Sequence, residues 1–205
     1  MPGWNPPVDG YVGDVPVLTR EEFDAIEFEA ACTGEHEAAA ERMSELAATG
    51  TQSESMPRAE AFIRAGEQWL LADDPGKAAN GFRMAIADGG PVDVDPRVSL
   101  SRALFQLGNR SEAYALIEDL RTQDKADARA CDLITELLVE QSDLQAALEW
   151  ATRGVELMLE DTETPAPGSV LASDTSGLRD LLRIRYRIRN DLRLPEDEYD
   201  RMLSA

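Results

Sequence analysis

The stretch AFIRAGEQWLLADDPGKAANGFRMAIADGGP, residues 61–91, decides the fold. Apolar side chains recur three or four residues apart on both sides of Asp74–Gly76. That spacing is typical of amphipathic helices, and the Asp-Pro-Gly between the two runs is typical of a tight turn. The stretch therefore predicts two helices that pack antiparallel as a hairpin.

The same pattern recurs along the chain. Ala78, Ala113 and Ala147 open equivalent second helices and are 35 and 34 residues apart. A looser unit opens at Ala39, and its longer spacing to Ala78 fits an insertion at Thr49–Ser55. A period of about 34 residues is typical of stacked helical hairpins, which need about three units to bury a continuous core.

These residues resemble the tetratricopeptide repeat family, whose consensus places aromatic, glycine and alanine residues at fixed intervals. The positions that carry the resemblance are Phe62, Gly66, Trp69, Ala78, Phe82, Ala85 and Pro91. The resemblance spans roughly residues 20–160 and is weaker in the other units, where Arg97, for example, replaces an aromatic residue. It implies an all-α fold, a right-handed α-solenoid of about four hairpins with a C-terminal capping helix.

Composition divides the chain into four segments. Residues 1–18 are rich in proline and glycine and predict a flexible arm, and residues 19–160 form the helical repeat domain. Thr19 followed by Glu22 predicts a capping box at its start. Residues 161–176 have the composition of a linker.

Residues 177–205 predict a basic capping helix followed by a short acidic end. Leu182–Arg189 alternates apolar residues with arginine, which alone favours a strand. The leucines and isoleucines on either side fall on one helical face, so we expect a helix. It either packs on the last hairpin through Trp150, Gly154 and Leu157 or folds into the acidic groove of its own chain.

Charge is the strongest compositional signal. The chain has 40 acidic and 20 basic residues, for a net charge of −20. This charge disfavours binding to nucleic acid. It fits two explanations: the solubility bias of an acidic bacterial or salt-adapted proteome, or selection for a basic partner.

The sequence also predicts a cytoplasmic protein that does not contact a membrane. No apolar run approaches the length of a membrane span, and the N-terminal residues lack the features of a secretory signal. Cys32 and Cys131 fall on distant units, where we expect them to be reduced.

No catalytic constellation is recognisable, so we expect a protein that is not an enzyme and needs no cofactor or metal. The single histidine, His36, falls in a predicted turn where we expect it to be solvated. Asp74–Ala78 resembles a phosphate loop superficially, but it lacks the first glycine and the hydroxyl that would hold magnesium.

A binding surface is the function that the resemblance implies, because the family's first helices line a concave groove. The outward positions on that frame are Glu21, Asp24 and Phe28; Glu60, Ile63, Glu67 and Leu70; Asp95, Val98, Arg102 and Phe105; and Arg129, Asp132, Glu136 and Val139. Ile63 and Glu67 replace the family's clamp for a carboxylate. We therefore expect a protein or peptide partner with basic and apolar residues, anchored by Phe28, Leu70 and Phe105.

Three alternatives remain open at this point. The charged positions could form a solvated face without a tight ligand. The chain could self-associate as a homodimer through an apolar edge of Trp150, Met158 and the C-terminal helix. It could also be the accessory subunit of an enzyme.

Overall fold

The computed structural model describes residues 15–123, 125–163 and 174–203. The described residues form ten α-helices. They are α1 (Arg20–Thr33), α2 (His36–Thr49), α3 (Arg58–Leu71), α4 (Pro75–Asp88), α5 (Pro96–Gln106), α6 (Arg110–Thr122), α7 (Ala128–Glu140), α8 (Leu144–Glu163), α9 (Asp174–Asp191) and α10 (Glu198–Met202).

The helices pack in the order in which they occur along the chain. α1 with α2, α3 with α4, α5 with α6 and α7 with α8 form four pairs, and the first helices of neighbouring pairs also touch. α2 packs on α3, α4 on α5 and α8 on α9, whereas the described residues of α6 do not approach α7 as closely. This solenoid-like arrangement confirms the all-α fold class.

The pair α3–α4 shows why small residues recur at fixed places. A Cβ atom on Gly66 would lie 2.6 Å from the Phe82 ring, and one on Gly81 would lie 3.2 Å from the Phe62 carbonyl oxygen. Gly154 has the same role in α8, where a Cβ atom would lie 3.0 Å from Cys131. Glycine at these positions lets the helices approach more closely than a side chain would allow.

The same turn ends α3, α5, α7 and α9. A residue with left-handed backbone follows each helix; these residues are Asp73, Gly108, Ser142 and Arg193. The next amide then bonds back to the carbonyl five residues earlier, as Asp74 does to Trp69 at 2.9 Å and Leu194 does to Arg189 at 2.9 Å. α9 therefore ends as the first helices of three pairs do.

The segment before α1 is tied to the predicted insertion. The Leu18 amide donates to the Thr51 carbonyl, and the Thr51 amide donates to the Pro16 carbonyl, both at 2.8 Å. Thr19 Oγ1 accepts from the Glu22 amide at 3.3 Å, which is one half of the expected capping box. Residues 1–14 of the expected arm lie outside the described residues.

The C-terminal segment is helical, as expected, and packs on α8 as a cap. Leu181, Leu182 and Ile188 of α9 are buried, and Leu181 lies against Gly154 of α8. The bounds of α8 and α9 include residues 161–163 and 174–176 of the expected linker. The remainder of that linker, residues 164–173, lies outside the described part of the chain.

Two arginines of α9 bind α10 through buried ion pairs. Arg185 donates to Asp200 at 3.1 Å and to Asp197 at 2.5 Å, and Arg189 Nε donates to Asp200 at 2.9 Å. The Arg185 and Asp200 side chains are only 4% and 3% exposed. Hydrogen bonds from Arg185 outweigh desolvation and lower the pKa of Asp197 to about 2. The pairing explains how arginines can interrupt the apolar stripe of α9.

Candidate functional site

Glu67 on α3 is the point where charges from three first helices meet. Desolvation, followed by the charges of Glu27 on α1 and Glu60 on α3, raises the pKa of the Glu67 carboxyl; Arg64 and Arg129 offset part of the rise. Arg129 belongs to α7, so α1, α3 and α7 contribute to one surface. We call the surface around Glu67 on α1, α3, α5 and α7 the first-helix face. Glu67 is exposed there, so its carboxyl is crowded but reachable.

A buried arginine joins α1 to α3 beneath this face. Arg64 is 8% exposed and donates to Glu27 at 2.7 and 2.5 Å and to Asp24 at 2.7 Å. Its guanidinium lies 5.6 Å from the centre of the Phe23 ring. Burial alone would lower the pKa of Arg64, but the hydrogen bonds that it donates to Glu27 and Asp24, with their charges, outweigh burial and raise the pKa. Asp24 and Glu27 thus both form ion pairs with the buried Arg64, although the Asp24 side chain is 59% exposed.

The same face carries a second acidic group near the C-terminal end of the stack. Desolvation, followed by the charges of Glu136 on α7 and Asp180 on α9, raises the pKa of Asp132. Asp132 is half-buried and Glu136 is exposed. Asp180 pairs with Arg183 at 3.1 Å, so α9 extends the charged surface beyond α7.

The expected apolar floor of the face is mostly inside the core. Ile63, Val98 and Phe105 are 6%, 4% and 8% exposed. Phe105 packs edge-on against Tyr114, with ring centres 5.2 Å apart. Leu70 and Val139 are half-buried. Ile63, Val98 and Phe105 therefore leave little apolar surface for a ligand to contact.

Three further positions have structural surroundings that the sequence frame did not predict. Asp95 caps α5 by accepting from the Arg97 amide at 2.9 Å, and it also pairs with the Arg97 side chain at 2.7 Å. Burial raises the pKa of Asp95, but the bonds from Arg97 outweigh it and lower the pKa. Glu60 accepts from the Asp93 amide at 3.3 Å. Arg102 is half-buried.

Phe28 and Glu21 face away from the core of the first pair. Phe28 is 73% exposed and, from the helical period, lies on the side of α1 opposite Phe23 and Ala30. Glu21 is one heptad before Phe28 and is exposed on the same side. These two predicted positions therefore mark the outer end of the stack.

Arg64, Glu27 and Asp180 were missed by the sequence frame. The one signal for Arg64 is its charge within the apolar run Ala61–Ala65 of α3. Glu27 and Asp180 carry no local signal, because their significance comes from contacts with helices that are distant in the sequence.

The residues considered for other chemistry have ordinary roles. His36 Nδ1 lies 2.9 Å from Gln68 Oε1, so this histidine is half-buried between α2 and α3 and is not simply solvated. Asp74 caps α4 by accepting from the Lys77 amide at 2.9 Å. Among the described residues, no group of three or more histidine, cysteine or acidic side chains could hold a metal ion.

Both cysteines are free. Cys32 is exposed, whereas burial raises the pKa of Cys131 to about 11 and keeps its thiol protonated at neutral pH.

Comparison with protein-family models and with curated proteins finds no match to the chain. In the described ranges, none of the helices combines the length and the apolar character that crossing a membrane requires.

Proposed function

We propose that this protein is a tetratricopeptide-like interaction module that binds a basic segment of a partner protein on the first-helix face. The observation that carries the proposal is the raised pKa of Glu67, at a point where charges of α1, α3 and α7 converge. In this proposal the protein is not an enzyme, and its carboxylates recognise the basic segment of the partner.

Desolvation is the largest cause of the raised pKa values of Glu67 and Asp132, and neighbouring carboxylates add to it. A lysine or arginine of a ligand beside Glu67 would stabilise the ionised form and relieve its repulsion from Glu27 and Glu60. Asp132 offers a second such position with Glu136 and Asp180. Two acidic positions on one face suit a ligand with separated basic residues.

The limited apolar surface determines what kind of binding to expect. Ile63, Val98 and Phe105 are buried, so Leu70 and Val139 supply the nearest partly exposed apolar atoms. Charge complementarity would then set specificity and association rate, and binding would weaken as salt rises. The same proposal places the protein in a reducing cytoplasm, which suits its two free thiols.

The test measures fluorescence anisotropy of a labelled helical peptide of arginine and leucine, beside a counterpart with glutamate in place of arginine. We expect the protein to bind the arginine peptide and not its counterpart. Glu67→Arg should weaken binding by about tenfold or more, equivalent to about 1.4 kcal/mol.

Glu45→Arg is the matched control, because Glu45 is exposed on α2 and the substitution changes net charge by the same amount. It should change affinity less than about threefold, consistent with a distant screened charge. Equal losses in the two variants would show that only net charge matters and would refute a site at Glu67.

The apolar edge considered for self-association is used inside the molecule. Trp150 is 5% exposed within the core, and Met158 packs against α9 near Gly177. The described structure therefore gives the basic-ligand proposal more support than a dimer through that edge.

A further inference from the structure

The helices at the two ends of the described stack present matching stripes to solvent. On α1 the stripe consists of Glu21, Ala25, Phe28 and Cys32, all exposed. On α9 it consists of Arg179, Arg183, Tyr186 and Asn190, also all exposed. We call them the α1 end stripe and the α9 end stripe.

Both stripes point away from the body of the protein. The α1 end stripe is opposite Phe23 and Ala30, which are buried. The α9 end stripe is opposite Leu181 and Ile188, which are buried toward α8. Each stripe therefore forms an end of the stack, and the α9 end stripe adjoins the first-helix face through the pair of Arg183 with Asp180.

The spacing along the two stripes is the same. Successive members are four, three and four residues apart, and the third member is aromatic in each case: Phe28 on α1 and Tyr186 on α9. Residues at this spacing form the ridge through which two helices pack side by side. Phe28 is 73% exposed and Tyr186 is 37% exposed, so both rings have surface left to bury.

The charges of the two stripes are opposite. Glu21 and the neighbouring Asp24 and Glu29 make the α1 end negative, although Asp24 also pairs with Arg64. Arg179, Arg183 and the neighbouring Arg187 make the α9 end positive. Arg183 also pairs with Asp180, but its side chain is 63% exposed and such an exposed pair is weak.

The positions of the charges and the rings supply the orientation. In a parallel contact Arg179 lies beside Glu21 and Tyr186 lies beside Phe28. An antiparallel contact would place Arg179 beside Cys32 and Asn190 beside Glu21, which forms no ion pair.

From these observations we infer that copies of this chain associate head to tail, with the α9 end stripe of one copy packed parallel to the α1 end stripe of the next. This inference is independent of the proposed ligand on the first-helix face. The contact joins two different surfaces, so it leaves both ends of the assembly open and builds chains of increasing length. The net charge of −20 opposes association at long range, but repulsion beyond about 8 Å is largely screened at physiological salt.

Charge reversal tests the contact by sedimentation velocity over a wide range of protein concentration at physiological salt. The average sedimentation coefficient of the wild-type protein should increase with protein concentration. Arg179→Glu/Arg183→Glu and Glu21→Arg/Glu29→Arg should each remain monomeric. An equimolar mixture of the two should associate again, because the unchanged α9 end stripe of the second variant meets the unchanged α1 end stripe of the first, and the two reversed stripes are also opposite in charge. Arg83→Glu, at an exposed position of α4, is a single-reversal control and should behave like wild type.

A cysteine cross-link tests the register. In a parallel contact Asn190 lies beside Cys32, the exposed native thiol, whereas Cys131 is buried. Mild oxidation of Asn190→Cys should give a ladder of disulfide-linked species on a non-reducing gel, and adding Cys32→Ser should abolish the ladder. Arg83→Cys is the control and should give none.

Three results would overturn the inference. They are a wild-type protein that stays monomeric at every concentration, disulfides that join two identical positions, and charge-reversed variants that associate like wild type. The first would also leave the α9 end stripe as a polar cap that keeps the stack soluble. None of these results bears on peptide binding at Glu67, so the two proposals can fail separately.

Discussion

The junction of α9 with α10 and the first-helix face use the same kinds of charged residue in opposite ways. At the junction, Arg185 and Arg189 neutralise Asp197 and Asp200, and the pKa of Asp197 falls to about 2. On the first-helix face, desolvation and neighbouring carboxylates raise the pKa of Glu67. The paired charges of the junction hold α9 and α10 together. The carboxylates around Glu67 leave the first-helix face negative.

The two regions should therefore respond differently to substitution. A buried charge whose partner is removed is strongly unfavourable, so the junction should be sensitive to single substitutions. An accessible carboxylate among other carboxylates slightly destabilises the fold, and a nearby cation stabilises its ionised form. Substitutions on the two surfaces should therefore change unfolding and binding in different proportions.

The largest effect is expected at the junction. Arg185→Met leaves Asp200, whose side chain is 3% exposed, with Arg189 as its remaining cation. Breaking a buried ion pair in this way costs about 3–5 kcal/mol of unfolding free energy. Urea unfolding followed by circular dichroism measures the loss.

Arg183→Met is the matched control on the same helix, because the Arg183 side chain is 63% exposed. It should change the unfolding free energy by less than about 0.5 kcal/mol. Similar values for the two variants would mean that burial of the Arg185 network contributes nothing to the fold.

The next effect is a pH dependence with opposite signs in the two regions. The folded pKa of Asp197 lies below its unfolded value, so its stabilising contribution is complete above about pH 4 and is lost as pH falls toward 2. The folded pKa values of Glu67 and Asp132 are raised, so their protonation favours the fold and adds stability as pH falls through those values.

Urea unfolding at neutral, mildly acidic and strongly acidic pH should show both trends. Asp197→Asn should remove about 2 kcal/mol of stability at neutral pH and flatten the loss below pH 4. Asp191→Asn, at an exposed position on α9, should leave the profile unchanged. A profile for Asp197→Asn that parallels wild type at every pH would contradict the assignment.

The helices were predictable because their signals are local or periodic. The recurring alanines, the small residues such as Gly66 and the turn at Asp74 each follow from how two neighbouring helices pack, and α1–α8 lie where that pattern predicts. The helical state of α9 also followed from its apolar face, although Arg185 interrupts that face.

The candidate site was less predictable because its chemistry depends on distant contacts. Arg64 meets Glu27 and Asp24 across 37 and 40 residues, and no local pattern announces that pairing. Ile63 and Phe105 have the right period for a lining, but both are buried in the core, and Phe105 packs against Tyr114 of α6. The spacing of residues along the sequence predicts the side of a helix on which they lie. Packing with neighbouring helices determines whether that side is exposed.

The smallest effect on stability is expected on the first-helix face, where it distinguishes binding from folding. Glu67→Gln keeps the shape of the side chain and removes one charge from the group that includes Glu27 and Glu60. It should leave unfolding free energy unchanged or raise it by a few tenths of a kcal/mol, as for a substitution of an exposed residue. The same variant should weaken binding of the arginine peptide and reduce its salt dependence, because a ligand cation loses its nearest carboxylate.

Glu45→Gln on α2 is the control for both measurements. A variant Glu67→Gln that is destabilised by more than about 1 kcal/mol would place Glu67 among the residues that hold the fold, and the contrast with Asp197 would disappear.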